Sequence, residues 1–139
     1  MAFPIIIVGA DRRGTALVEF AIVLPVVICL LVGMIGYGQY FLLAHSVQQI
    51  ANDAARATVG GLSTDERADL ARQSVADDLA ALAAFPASRV TTQVSETGDT
   101  VAVDVTLDAH GMGPFRSTRV PMPASLIDRR AVARRGGLS

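Results

Sequence analysis

Apolar residues are unevenly placed along this chain. From Phe20 to Asn52 no residue carries a formal charge, and within Phe20–Ala44 the one strongly polar side chain is Gln39. As a helix rising 1.5 Å per residue, those 25 positions reach roughly 37 Å, enough to cross a hydrocarbon core of about 30 Å with some tilt. A secretory signal has a shorter apolar stretch ending in a small-residue cleavage site, so the length favours a retained anchor. Tyr37, Tyr40 and Phe41 gather near its outer end, where amphipathic aromatics favour the membrane interface.

Beyond the apolar run the pattern changes from uniform to striped. Val47, Ile50, Ala51, Ala54, Ala55 and Thr58 recur at helical spacing, which predicts one helix from Thr15 to Val59 that Gly60-Gly61 ends. Ser63 and Glu66 read as a capping box opening a second helix to about Ala84, stopped by Pro86. Its apolar face is Ala68, Ala71, Val75, Leu79 and Leu82, with Asp65, Asp69, Arg72, Asp77 and Asp78 as a solvated face. Val101–Asp108 alternates apolar with small or polar residues and predicts a half-buried strand; Arg89–Glu96 is its hairpin partner across Thr97-Gly98-Asp99-Thr100. A third strand is expected over Phe115–Val120 and a short terminal helix over Ala124–Val132, whose Arg129, Arg130, Arg134 and Arg135 make a basic tail. The expected class is α+β: a long N-terminal transmembrane helix, a second helix and a small antiparallel sheet.

Length and charge then bound what such a chain does. The 139 residues leave room for one small head once the anchor is set aside. All basic residues are Arg, 12 in number against 13 acids, so no basic surface points to nucleic acid. Cys29, the single cysteine, lies in the apolar run and reads as a small hydrophobe. Arg12 and Arg13 flank that run on its amino side, whereas His45, Asp53 and Arg56 follow it, so the positive-inside rule puts the N-terminus in the cytoplasm and exports the head. Pro25 removes a backbone donor and predicts a kink; its alternative reading is the general enrichment of Pro and Gly in membrane helices.

The most informative stretch is Arg12-Arg13-Gly14-Thr15-Ala16-Leu17-Val18-Glu19-Phe20, running directly into Ala21-Ile22-Val23-Leu24-Pro25. A carboxylate about a turn inside an apolar helix is costly and usually has a partner, unless it reaches back to the nearby interface. Both readings of Glu19 are open on physical grounds.

This stretch resembles a class III prepilin signal of the type IV pilin superfamily. With Glu19-Phe20, Pro25 and the later Asp53-Ala54-Ala55-Arg56, it is similar to the TadE-like pseudopilins of tight-adherence (Flp-type) pilus systems. The resemblance implies cleavage by prepilin peptidase between Gly14 and Thr15, leaving Glu19 fifth and Phe20 sixth in the mature chain. One departure is the apolar Phe3-Pro4-Ile5-Ile6-Ile7-Val8 in the leader, since many such leaders are more polar. The implied division is a cytoplasmic leader over 1–14, a transmembrane helix over 15–44, a helix extension and linker over 45–61, and an exported head over 62–139. The implied role is a minor pilin or pseudopilin in the bacterial inner membrane, its head periplasmic. Its partners would be prepilin peptidase, other pilins and pilus assembly proteins, and membrane lipid. The alternative is an uncleaved bitopic protein whose exported head binds a partner.

No enzyme is expected. His45 and His110 are isolated, and no Gly-rich loop follows a strand. Asp104 and Asp108 share a strand face but lack the loop-type ligand set of a calcium site, so they read as exposed acids. No cofactor, metal or small-molecule substrate is implied.

Overall fold

The computed structural model describes residues 12–82, 86–112, 121 and 123–135, with the side chains of Arg12 and Arg13 excepted. Helix α1 spans Arg12–Ala57 and ends in a 3-10 turn at Thr58–Gly60, and α2 spans Thr64–Ala81. After a second 3-10 turn at Ala87–Arg89 come the strands β1 (Val90–Thr97), β2 (Thr100–Asp108) and β3 (Leu126–Arg134). The three strands form one antiparallel sheet in the order β1-β2-β3. The expected α+β class, a long apolar N-terminal helix with a second helix and a small antiparallel sheet, is the observed one.

Helix α1 is two kinds of surface joined without a break. Phe20 to Val32 is apolar all round and exposed, the composition of a helix surrounded by something as apolar as itself. Farther along, Ala44, Val47, Ile50, Ala51, Ala54, Ala55 and Thr58 are buried, the stripe that the periodicity picks out. They form one core with Ala71, Val75 and Leu79 of α2 and with Val103, Val105, Leu107, Ile127 and Ala131 of the sheet. Small alanines on this stripe let the α1 backbone approach α2 and the sheet closely. The fully buried Thr58 donates its hydroxyl to the Ala55 carbonyl at 2.6 Å, so it leaves no unsatisfied donor in the core.

The connection after α1 is tight because of Gly61. Its φ of −81° is ordinary extended backbone, not the left-handed cap that two adjacent glycines suggest. What requires glycine there is proximity: a Cβ would lie 2.4 Å from Arg67 Cγ and 2.9 Å from the Arg67 backbone nitrogen. The N-cap of α2 follows at Ser63, whose hydroxyl accepts from the Glu66 N–H at 3.2 Å. The Glu66 carboxylate reaches back to accept from the Leu62 N–H at 2.9 Å, one residue earlier than in the standard reciprocal box.

Helix α2 ends at Ala81, short of Ala84, with Leu82 in a non-helical conformation as its cap. Its buried side chains are Arg67, Ala71, Val75 and Leu79; Ala68 is only half-buried and Leu82 is exposed. Asp78 also departs from the solvated-face reading and is half-buried toward α1.

The β1–β2 hairpin pairs Thr97 with Thr100 across Gly98-Asp99. Gly98 takes φ +58° and Asp99 has no positive φ, the combination of a type II′ turn that matches strand twist. On β2, Val101, Val103, Val105 and Leu107 point into the core, as the alternation requires.

The expected terminal helix over Ala124–Val132 is a strand instead. β3 pairs along β2 from Thr100↔Arg134 to Asp108↔Leu126, burying Ile127 and Ala131 on alternate positions. The reason is tertiary: β2 has a second edge whose backbone groups need partners, and a segment carrying inward apolar residues two and four apart satisfies them. The strand expected at Phe115–Val120 lies outside the described residues.

Candidate functional site

The residues singled out by sequence lie at the start of α1. Arg12 and Arg13 open the helix, and Gly14, Thr15, Glu19 and Phe20 follow on its exposed first turns. A Cβ on Gly14 would meet nothing within 4 Å, so no packing inside the chain demands glycine there. Thr15 and Glu19 are four apart, neighbours on one helix face. Glu19 has no hydrogen bond or ion pair among the described residues, and Leu17, Val18 and Phe20 are exposed around it. Pro25 lies within α1, which continues through it, and Cys29 is exposed on the same apolar surface. This whole stretch is thus exposed on the surface of the chain.

Over Gly14–Gly60 this is the one helix among the described residues long and apolar enough to cross a membrane; its most apolar window has a mean hydropathy of 2.7 and none of it is buried within the protein. Together these features suggest a single-pass membrane anchor. Where it meets the head, Tyr40 and Phe41 stack edge to face with centroids 5.6 Å apart. Tyr40 and Leu43 pack against the core while Phe41 and Leu42 stay exposed. His45 is exposed just beyond.

At the far end of the head sits an ion pair that the sequence does not reveal. Arg67 is 5% exposed, and its Nε and Nη2 donate to the two Glu96 carboxylate oxygens at 2.8 and 2.9 Å. Its Nη1 donates to the Gly61 carbonyl at 3.0 Å, and Thr64 Oγ1 donates to Glu96 at 3.2 Å. One guanidinium therefore ties the α1–α2 connection to the end of β1. The hydrogen bond from Arg67 is the main cause holding the Glu96 carboxyl below its ordinary value, and the bond to Glu96 raises Arg67 in turn. Because the folded-state value of Glu96 is depressed, its contribution to stability is complete above the ordinary carboxylate range and is lost as pH falls through the folded value. An Arg on a helix ordinarily reads as solvated, and its partner is 29 residues away, so no local signal marks the pair.

Asp78 behaves oppositely. Burial, then the charges of Asp53 and Asp77, raise its carboxyl above the ordinary value, and its Oδ2 is buried without a hydrogen-bond partner. Of the other flagged acids, Asp104 lies 3.7 Å from Arg130, and Asp108 accepts from the His110 N–H at 2.8 Å. These contacts give both acids structural roles at the sheet surface. Among the described residues no group of three or more His, Cys, Asp or Glu side chains is placed to hold a metal ion.

No curated protein and no solved structure matches the chain. Residues 14–56 match the model of the family described as TadE-like protein. That match runs from Gly14 through the exposed apolar half of α1 to Arg56 near its buried end, so this segment is similar to the corresponding one of TadE-like proteins.

Proposed function

We propose that the protein is a minor pilin or pseudopilin of a tight-adherence (Flp-type) pilus, cut between Gly14 and Thr15 by prepilin peptidase and held in the bacterial inner membrane with its head in the periplasm. The observation that carries this reading is the TadE-like match over 14–56, on a helix that from Phe20 to Val32 is apolar and exposed on every side. TadE-like pilins are structural components, so the chemistry to explain is assembly.

Cleavage would place a new ammonium on Thr15, one turn from Glu19. In a bundle of such helices the Glu19 carboxylate of one subunit pairs with the Thr15 ammonium of the next. The pairing offsets the cost of holding both charges in an apolar setting and fixes the axial register. The exposed Glu19, with no partner among the described residues, is consistent with a partner supplied by another chain. The folded head, which a bare filament helix would not need, favours a role at the tip or base of the filament, or in priming its assembly.

The test is the intact mass of the protein recovered from membranes of cells with an active prepilin peptidase. The expected mass begins at Thr15, and Gly14→Phe retains the leader. A wild-type protein that keeps Met1–Gly14 overturns the pilin reading in favour of an uncleaved bitopic protein. Glu19→Ala is expected to be cut normally yet to support no piliation. Normal piliation by that variant would leave processing standing and remove the charge-pairing mechanism.

A further inference from the structure

A shallow groove lies where α1 leaves its apolar half, lined by Phe41, Ala44, His45 and Gln48 of the helix and Arg129 of β3. We infer that this groove binds the phosphate of a phospholipid headgroup, with Arg129 as the principal ligand. The inference rests on α1 spanning a membrane and is independent of which side the head occupies.

The uncharged apolar run ends at Ala44, so Phe41 to His45 lie at the boundary between hydrocarbon and water. The direction of β3 fixes the level of the head relative to that boundary. Arg130 meets α1 at Gln48, whose side-chain amide donates to the Arg130 carbonyl at 3.4 Å. Ala133 pairs with Val101, and Val101 with Glu96, which is tied to Gly61 through Arg67 at the far end of α1. The strand therefore climbs away from the membrane, and Leu126 lies about 10 Å below Arg129. Leu126 is 59% exposed, as are Phe41 and Leu42 at 66% each. The end of the head nearest the membrane thus carries exposed apolar side chains: Phe41 and Leu42 lie beneath the Arg129 guanidinium, which faces α1, while Leu126 lies on the outer face of the sheet beside the exposed Asp108 and Asp128.

Arg56, Arg67, Arg72, Arg130 and Arg135 each lie within 4.0 Å of a carboxylate. Arg89, Arg129 and Arg134 have no carboxylate partner among the described residues, and of these Arg129 lines the groove; its Nη1 donates to the neighbouring Asp128 carbonyl at 2.7 Å. No acid lines the groove, and Gln48 and His45 add polar groups to the Arg129 side. A cation without a carboxylate at headgroup level, over an apolar rim, complements a lipid phosphate resting on its acyl chains.

The experiment uses the full chain reconstituted in vesicles of equal phosphatidylglycerol and phosphatidylcholine, released into native mass spectrometry to count retained lipids. Wild type is expected to retain phosphatidylglycerol preferentially. R129Q should lower that preference about five-fold, the factor carried by one basic residue near an anionic surface. R129K should keep most of it, and R72Q, remote on α2, should leave it unchanged. Equal retention by wild type and R129Q, or an equal fall in R72Q, overturns the site. So does a change of oligomeric state in R129Q with lipid retention unaltered, which would assign the groove to a second copy. Carbonate washing of the vesicles separates the two levels. Wild-type protein that washes out ends the anchor reading, whereas protein that stays in while R129Q behaves as wild type removes only the groove.

Discussion

The two halves of α1 form one continuous helix and do different work. Up to about Ile35 the helix exposes Leu, Ile, Val and Phe on all sides; Gly36 and Tyr40 begin the turn inward, and from Ala44 one stripe of mostly small residues is buried while Gln49, Asn52, Asp53 and Arg56 stay outside. Composition changes at the junction, from the strongly apolar window of the first half to a segment carrying Gln, Asn, Asp and Arg. The arrangement around the helix axis changes with it, and a stripe implies a partner within the chain whereas a full circle implies a surrounding medium.

Exchanging equivalent substitutions between the halves tests that contrast most strongly. Ile50→Ala removes a buried side chain from the core and is expected to cost the head about 2–5 kcal/mol, whereas Ile35→Ala, in the exposed half, leaves head stability unchanged. Denaturant unfolding of the detergent-solubilised full chain, followed by near-ultraviolet circular dichroism, measures both; equal effects would erase the distinction. A smaller loss is expected where the buried half meets the head's polar clamp. Gly61→Ala forces a methyl group against the Arg67 backbone and should cost about 1–3 kcal/mol in the same assay, while Gly60→Ala, which meets nothing within 4 Å, has no packing clash to relieve.

The smallest effect carries a sign. The Asp78 carboxyl is raised by burial and by neighbouring acids, so its ionised form destabilises the fold at neutral pH and the penalty is relieved as pH falls through the folded value toward the ordinary one. Asp78→Asn is therefore expected to stabilise the head slightly at pH 7 and to lose its advantage below about pH 4, where the acid is protonated in both states. A variant less stable than wild type at pH 7 would show that the half-buried carboxylate is favourable where it stands.

What sequence reveals follows from how far apart the cooperating residues are. The α1 stripe, the Ser63 cap and the Gly98 turn are local, each set by residues within a few positions, and each is found where the pattern puts it. β3 is not local: Leu126–Arg134 is a strand because β2 lies beside it, and its run of arginines hides the alternation of Ile127, Ala131 and Ala133. Asp78 lies on a helix face that reads as polar, and only the packing of α2 on α1 buries it. The candidate site divides in the same way. Gly14 to Phe20 is contiguous and legible, whereas the Arg129 groove exists only because β3 packs beside the exit of α1.

The absence of any joint between anchor and head has a mechanical consequence. Ala44 to Thr58 belong at once to the membrane-derived helix and to the interior of the head, and close-packed interiors transmit strain. A pull or twist applied to the membrane end of α1 is delivered directly to the seam with β3 and α2, as shear along its length, with no slack segment to absorb it. The head is consequently steered by its stem: its height and facing relative to the bilayer are set by the tilt and rotation of one rod.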